Sequence, residues 1–179
     1  MTPDDLVTSI HPDTKDWTWV LQRRCPECAF VASELRGVQL PAAIRSAAER
    51  WADLLARPGI EDRPEPAVWS ALGYMCHVRD VCRVFGERVQ LMLTEDDPSF
   101  PNWDQDAAAV QGRYGEQDPA MVADQLTDAA RADADLFAAV TGEQWQRTGV
   151  RSNGSRFTVE TLGQYFVHDI VHHLHDVDG

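Results

Sequence analysis

Lysine is almost missing from this sequence: of 16 basic side chains, only Lys15 is a lysine and the rest are arginine. Against 29 acidic residues this leaves a net charge of −13. Such a surface repels phosphate backbones, and no basic stripe with interleaved aromatics offsets it, which argues against direct nucleic-acid binding. The arginine bias, alongside many alanines, points to genomic composition more than to function. No apolar run approaches the roughly 20 residues that a membrane span needs, so no membrane role is expected. Met1 to Asp16 carry Asp4, Asp5, Asp13 and Asp16 without an apolar stretch, which argues against a signal peptide and for a cytoplasmic protein. Also missing are a glycine-flanked GxSxG elbow, a phosphate-cradling glycine loop and a dinucleotide fingerprint. Internal repeats, low-complexity tracts and convincing strand alternation are absent too.

What remains is helical periodicity. Leu40-Pro41 opens a helix whose apolar positions Ile44, Ala47, Ala48, Trp51, Leu54 and Leu55 follow the 3.6 period, and Pro58-Gly59 ends it. Ser70 caps a long second helix running to about Leu93. A long acidic connection, Thr94 to Gln105, follows. Asp118-Pro119 starts a third helix, Met121 to Val140, and Thr158 caps the last, with Glu160 in its first turn. Arg151-Ser-Asn-Gly-Ser155 marks a turn. With 179 residues, the chain can bury roughly 70% of its unfolded surface in one domain. The expected architecture is an all-α four-helix bundle over residues 38–179, with crossover topology, preceded by an irregular extension, residues 1–37.

Four of the six histidines stand in the last helix, as His168-Asp-Ile-Val-His172-His173-Leu-His175. The interruptions continue an amphipathic pattern, so the run is not a terminal tag. A spacing of four puts His168 and His172 on one face, where both imidazoles can reach one ion. Alone, such a pair is weak evidence for a metal and reads more readily as two helix histidines bonded to neighbours or solvent. His77 adds weight: it sits among apolar residues of the second helix, where an unpaired imidazole costs desolvation energy. Gly73, one turn earlier, leaves room for an ion or permits close packing. Three imidazoles from two facing helices form an open zinc or nickel site, with water in the remaining position. His175 shares the stripe and is an additional candidate near the helix end. His173 points roughly 100° away from His172 and pairs with Asp169 as a local ion pair or as support for a ligand. Asp80 and Asp176 are either orienting partners or solvated carboxylates.

Trp69-Ser70, His77 and Asp80, together with His168-x3-His172, resemble the DinB/YfiT-like superfamily of metal-binding four-helix bundles. The resemblance covers roughly residues 38–178. It implies one histidine ligand from the second helix, here His77, and two from the fourth, here His168 and His172. It also implies a divalent-metal-dependent reaction, either hydrolase-like or a thiol transfer or isomerisation using a low-molecular-weight thiol.

Cys25-Pro-Glu-Cys28 has the spacing of half a zinc site, although Ala29 stands where zinc knuckles favour glycine. Three readings compete: structural thiols in a turn, ligands that fold over the bundle to join the histidines, and a redox pair. The last lacks the βαβ setting it needs. Cys76 and Cys82, six apart on a helix, diverge by about 120° and do not complete a four-cysteine site. His168-Asp169-x2-His172 has aspartate where a zincin requires glutamate, which argues against a metallopeptidase. Trp103-Asp104-Gln105-Asp106 either covers the site mouth or is a solvated linker anchored by one tryptophan.

The leading expectation is a metal enzyme whose nucleophile is a thiol or water bound at the ion, acting on a small molecule; if it is a thiol, that small cofactor enters beside the metal near Gly73, Tyr74 and Tyr165. The rival is a non-catalytic structural or sensory module with a closed Cys/His site. A homodimer is weakly expected from the apolar bundle exterior.

Overall fold

A computed structural model describes residue 10 and residues 15–178; Asp4, Asp5 and Asp13, used above against a signal peptide, lie outside the described residues. Four long helices carry the fold: α1 (Leu40–Asp53), α2 (Ala71–Thr94), α4 (Pro119–Ala138) and α5 (Val159–Asp178). A short α3 (Gln105–Gln111) lies in the connection between α2 and α4. The caps explain where these helices start. Ser70 Oγ accepts from the Gly73 N–H, Asp118 Oδ1 from the Met121 N–H, and Thr158 Oγ1 from the Thr161 N–H. Each satisfies a donor that the first helical turn would otherwise leave unpaired.

The bundle has crossover topology. Helices α1 and α2 each pack against α4 and α5, whereas the sequence neighbours α1 and α2 sit diagonally, as do α4 and α5. Leu40, Ile44, Trp51, Leu72, Met75, Phe137, Phe166 and Ile170 fill the centre. Gly163 lets the helices meet closely: a Cβ there would stand 2.4 Å from a Leu40 methyl and 2.9 Å from the Phe137 ring.

Two features escape a helical reading of the sequence. Asp104 caps α3 within the acidic connection, its Oδ1 accepting from the Ala107 N–H. A three-stranded sheet, β1 (Ser99–Phe100), β2 (Thr148–Arg151) and β3 (Arg156–Thr158), pairs β1 parallel to β2 and β2 antiparallel to β3. Strands of two to four residues are too short to show alternation, although the Ser-Asn-Gly-Ser turn between β2 and β3 was visible.

The described part of the extension contains the 3-10 turns Trp17–Leu21 and Ala32–Glu34 and leads into Gly37–Gln39, all laid along α5. The Gly37 N–H donates to Glu160 Oε1 at 2.7 Å, and Gln164 Nε2 donates to the Leu35 carbonyl at 2.8 Å. Among the described residues, no helix is long and apolar enough to cross a membrane.

Candidate metal centres

Helix α5 carries two interleaved i, i+4 pairs, 168/172 and 169/173, and the fold turns them toward different partners. His168 and His172 face the extension, where they meet Cys25 and Cys28. Asp169 and His173 face α2, where they meet His77. Within each group the ligating atoms all lie within 4.8 Å of one another. The three histidines expected to share an ion are thus divided, His168 and His172 in one cluster and His77 in the other. Adjacent positions on a helix differ by roughly 100° of rotation. Which pair faces α2 therefore depends on how α5 is turned in the bundle, and the i, i+4 spacing alone does not specify that.

In the first cluster, the Cys25–Cys28 turn is closed by backbone bonds. The Ala29 N–H donates to the Cys25 carbonyl at 3.0 Å, and the Cys25 N–H to the Phe30 carbonyl at 2.9 Å. Ala29 adopts φ 63, the left-handed conformation in which glycine would be unstrained. Cys25 is fully buried, and its Sγ lies 3.7 Å from His172 Nδ1. The other nitrogen of His172 lies 3.4 Å from Glu27 Oε2. Trp17 packs on both His168 and His172, and Phe30 packs edge-on against His168. Burial, reinforced by neighbouring His172, pushes the His168 imidazole down to about 4. Burial likewise pushes the Cys28 thiol up to about 11.

The second cluster is built among aromatics. The His77 ring centroid lies 5.3 Å from that of Trp69, which is tilted against it, and 5.4 Å from that of Trp103, which stacks on it. His77 Nε2 and His173 Nε2 lie 3.6 and 3.7 Å from Asp169 Oδ1, which is ion-pair range but too long for a hydrogen bond. His173 Nδ1 is held at 2.8 Å by Asp176 Oδ2. Burial lowers the affinity of His77 for a proton. Burial also works to raise the Asp169 carboxyl, but His77 and His173 beside it outweigh that and hold it low.

Both clusters leave polar atoms orphaned. Neither nitrogen of His77, nor His168 Nε2, nor Asp169 Oδ1, has a hydrogen-bond partner although all are buried. Unpaired buried polar atoms of this kind are costly, and clusters of them mark where a group belongs that protein atoms do not supply. Neutral imidazoles and a carboxylate offer lone pairs to a cation, so both donor sets fit a divalent ion.

The other candidates fall outside these clusters. His175 is exposed, 6.5 Å in ring centroid from His172, and belongs to neither group. Asp80 serves Arg79, Arg83 and the Tyr114 hydroxyl. Gly73 makes room for Trp69 and not for an ion, since a Cβ there would stand 3.1 Å from Trp69 Cβ. Tyr165 packs in the core against Phe85 and Phe157. Trp103 covers His77, and Gln105 and Asp106 line a neighbouring cavity, so that segment lies at the site mouth. The cavity, about 370 Å³, is bounded by Trp17, Glu27, Trp69, Tyr74, His172 and His173 among others. Sequence reading noticed the Asp169–His173 pair but took it as a local ion pair or a support, whereas the fold brings it together with His77 and groups His168 and His172 with Cys25 and Cys28.

The model of the DinB superfamily matches residues 39–177, and the chain belongs to that superfamily. The solved structure of YfiT from Bacillus subtilis, described as a probable metal-dependent hydrolase with an unusual four-helix bundle topology, superposes with a TM-score of 0.66. That match has 18% identity over 83% of this chain and 85% of that one, and shows a shared fold. Comparison with curated proteins gives no match.

Proposed function

We propose that this protein is a divalent-metal-dependent enzyme whose reacting centre is the His77–Asp169–His173 cluster. The reading is carried by the convergence of those three ligating atoms, with both nitrogens of buried His77 unpaired, beside the cavity. Three protein donors leave coordination positions for exogenous groups, the arrangement of a catalytic centre. When bound, a divalent cation supplies Lewis acidity and makes a nucleophile available at neutral pH. Zinc suits the mixed nitrogen and oxygen donors, and nickel is the second choice.

The chain's own residues set the geometry. Asp176, bonded to His173 Nδ1, fixes the tautomer that leaves Nε2 facing Asp169 and His77. Trp103, stacked on the His77 ring, and Trp69, tilted against it, help to keep water from the buried imidazole. The cavity size suits a small-molecule substrate. Its wall mixes aromatic surface from Trp17, Trp69 and Tyr74 with the carboxylates of Glu27 and Asp106. Water is the leading nucleophile, by analogy with the hydrolase description of YfiT. A low-molecular-weight thiol is the second reading; of Gly73, Tyr74 and Tyr165, Tyr74 lines the cavity.

The test is turnover of a panel of ester, amide and electrophilic substrates, with and without cellular thiols, at fixed zinc or nickel. Metal-dependent turnover that disappears in His77→Ala is expected. Undiminished metal content and turnover in both His77→Ala and His173→Ala would overturn the assignment.

A further inference from the structure

We propose that Cys25, Cys28, His168 and His172 form a second metal site, closed, structural and suited to zinc, separate from the reacting centre. Two thiolates and two imidazoles are a tetrahedral zinc donor set, softer than the histidine and carboxylate set one residue further along α5. Neighbouring ligands around tetrahedral zinc stand roughly 3.4–3.8 Å apart, from Zn–N and Zn–S bonds of about 2.0 and 2.3 Å. Cys25 Sγ and His172 Nδ1 are already 3.7 Å apart. The buried, unpaired Nε2 of His168 is a second observation pointing to the same ligand. A disulfide between Cys25 and Cys28 would leave that nitrogen orphaned, whereas an ion satisfies it.

Four protein donors fill a tetrahedral shell, and Trp17 and Phe30 pack over the imidazoles, so no position is left for substrate. The site's work is mechanical. It fastens the extension to α5, and the extension contributes Trp17 and Glu27 to the cavity wall. Its ion therefore shapes the substrate cavity without touching the chemistry.

The experiment loads the full chain with cobalt(II) under reducing conditions and follows stoichiometry together with the near-ultraviolet thiolate-to-cobalt charge-transfer band. Two equivalents per chain and a strong band are expected. Cys25→Ser and Cys28→Ser should each lose the band and one equivalent, while His77→Ala keeps the band and loses the other equivalent. Wild-type protein that binds cobalt without the band would overturn the proposal. So would a band that survives in both cysteine variants, or one that disappears in His77→Ala, since that would mean one merged site. Because the cysteine variants can fail to fold, alkylation of the wild type gives an independent reading. Zinc should protect Cys25 and Cys28, a chelator should expose them, and equal labelling in both conditions would sink the site. Failure of the reacting-centre assignment shows separately, as an unchanged cobalt stoichiometry in His77→Ala.

Discussion

The two clusters on α5 begin one residue apart and differ in nearly every physical respect. The pair at 168 and 172 meets sulfur from an irregular extension and is roofed by Trp17 and Phe30. The pair at 169 and 173 meets an imidazole from the rigid interior of α2 and borders a cavity. One helix thus supplies a closed donor set on one side and an open set on the other. The difference comes from the partner element and not from α5 itself: an irregular segment can wrap an ion completely, whereas two facing helices leave a gap.

The comparison is broken most severely by removing a cysteine. If the closed cluster holds a structural ion, Cys25→Ser loses the stabilisation that tight binding gives, about 4 kcal/mol at an ion concentration 1,000-fold above Kd. For a domain of this size that corresponds to a fall in Tm of about 8–16 °C, measured calorimetrically in the presence of zinc. A chelator should produce a similar fall in the wild type and little further change in the variant. Next in size, His77→Ala should weaken the open site by more than the roughly 10–100-fold that loss of an outer partner costs. Its Tm with zinc should stay much nearer the wild-type value than that of Cys25→Ser. Asp176→Asn, which removes the support of His173 but no ligand, should cost about 10–100-fold in affinity at the open site while the cobalt–thiolate band persists.

The smallest effect contrasts two buried carboxyls. Asp169 is held low by imidazoles, whereas burial alone pushes Asp133 up to about 8. Unfolded, Asp133 ionises near its ordinary value of 3.8. Between about pH 4 and 8 the unfolded chain therefore carries one proton fewer at this position than the native one, so stability falls as pH rises through that window. Urea melts from pH 5 to 8 should show Asp133→Asn with a shallower decline than wild type; parallel curves would remove Asp133 as the cause.

Much of this fold was legible in the chain because its determinants are local. Ser70, Asp118 and Thr158 announce their helices by capping chemistry, and the 3.6 period marks the buried faces. The crossover arrangement followed from one long connection. The strands were hidden because Ser99–Phe100 gains its order from pairing with a distant part of the chain, and Arg156–Thr158, although it pairs locally with Thr148–Arg151, is too short to show alternation. The site was half legible for the same reason. His77, His168 and His172 stood out as residues with ligand chemistry, and Cys25 and Cys28 as a pair in need of partners. Their grouping depends on the rotation of α5 against α2, which is decided by core residues such as Leu162, Phe166 and Ile170 and not by the histidines themselves.

Trp51 draws one more consequence from the crossover. Its indole Nε1 donates at 3.0 Å to the carbonyl of Ile170, a residue spanned by both donor pairs of α5. Helix α1 thus grips the backbone of α5 while the extension and α2 lie beside its side chains on two flanks. Held from three directions, the final helix behaves like an indexed shaft: a turn of one residue would carry each donor pair away from its own partners.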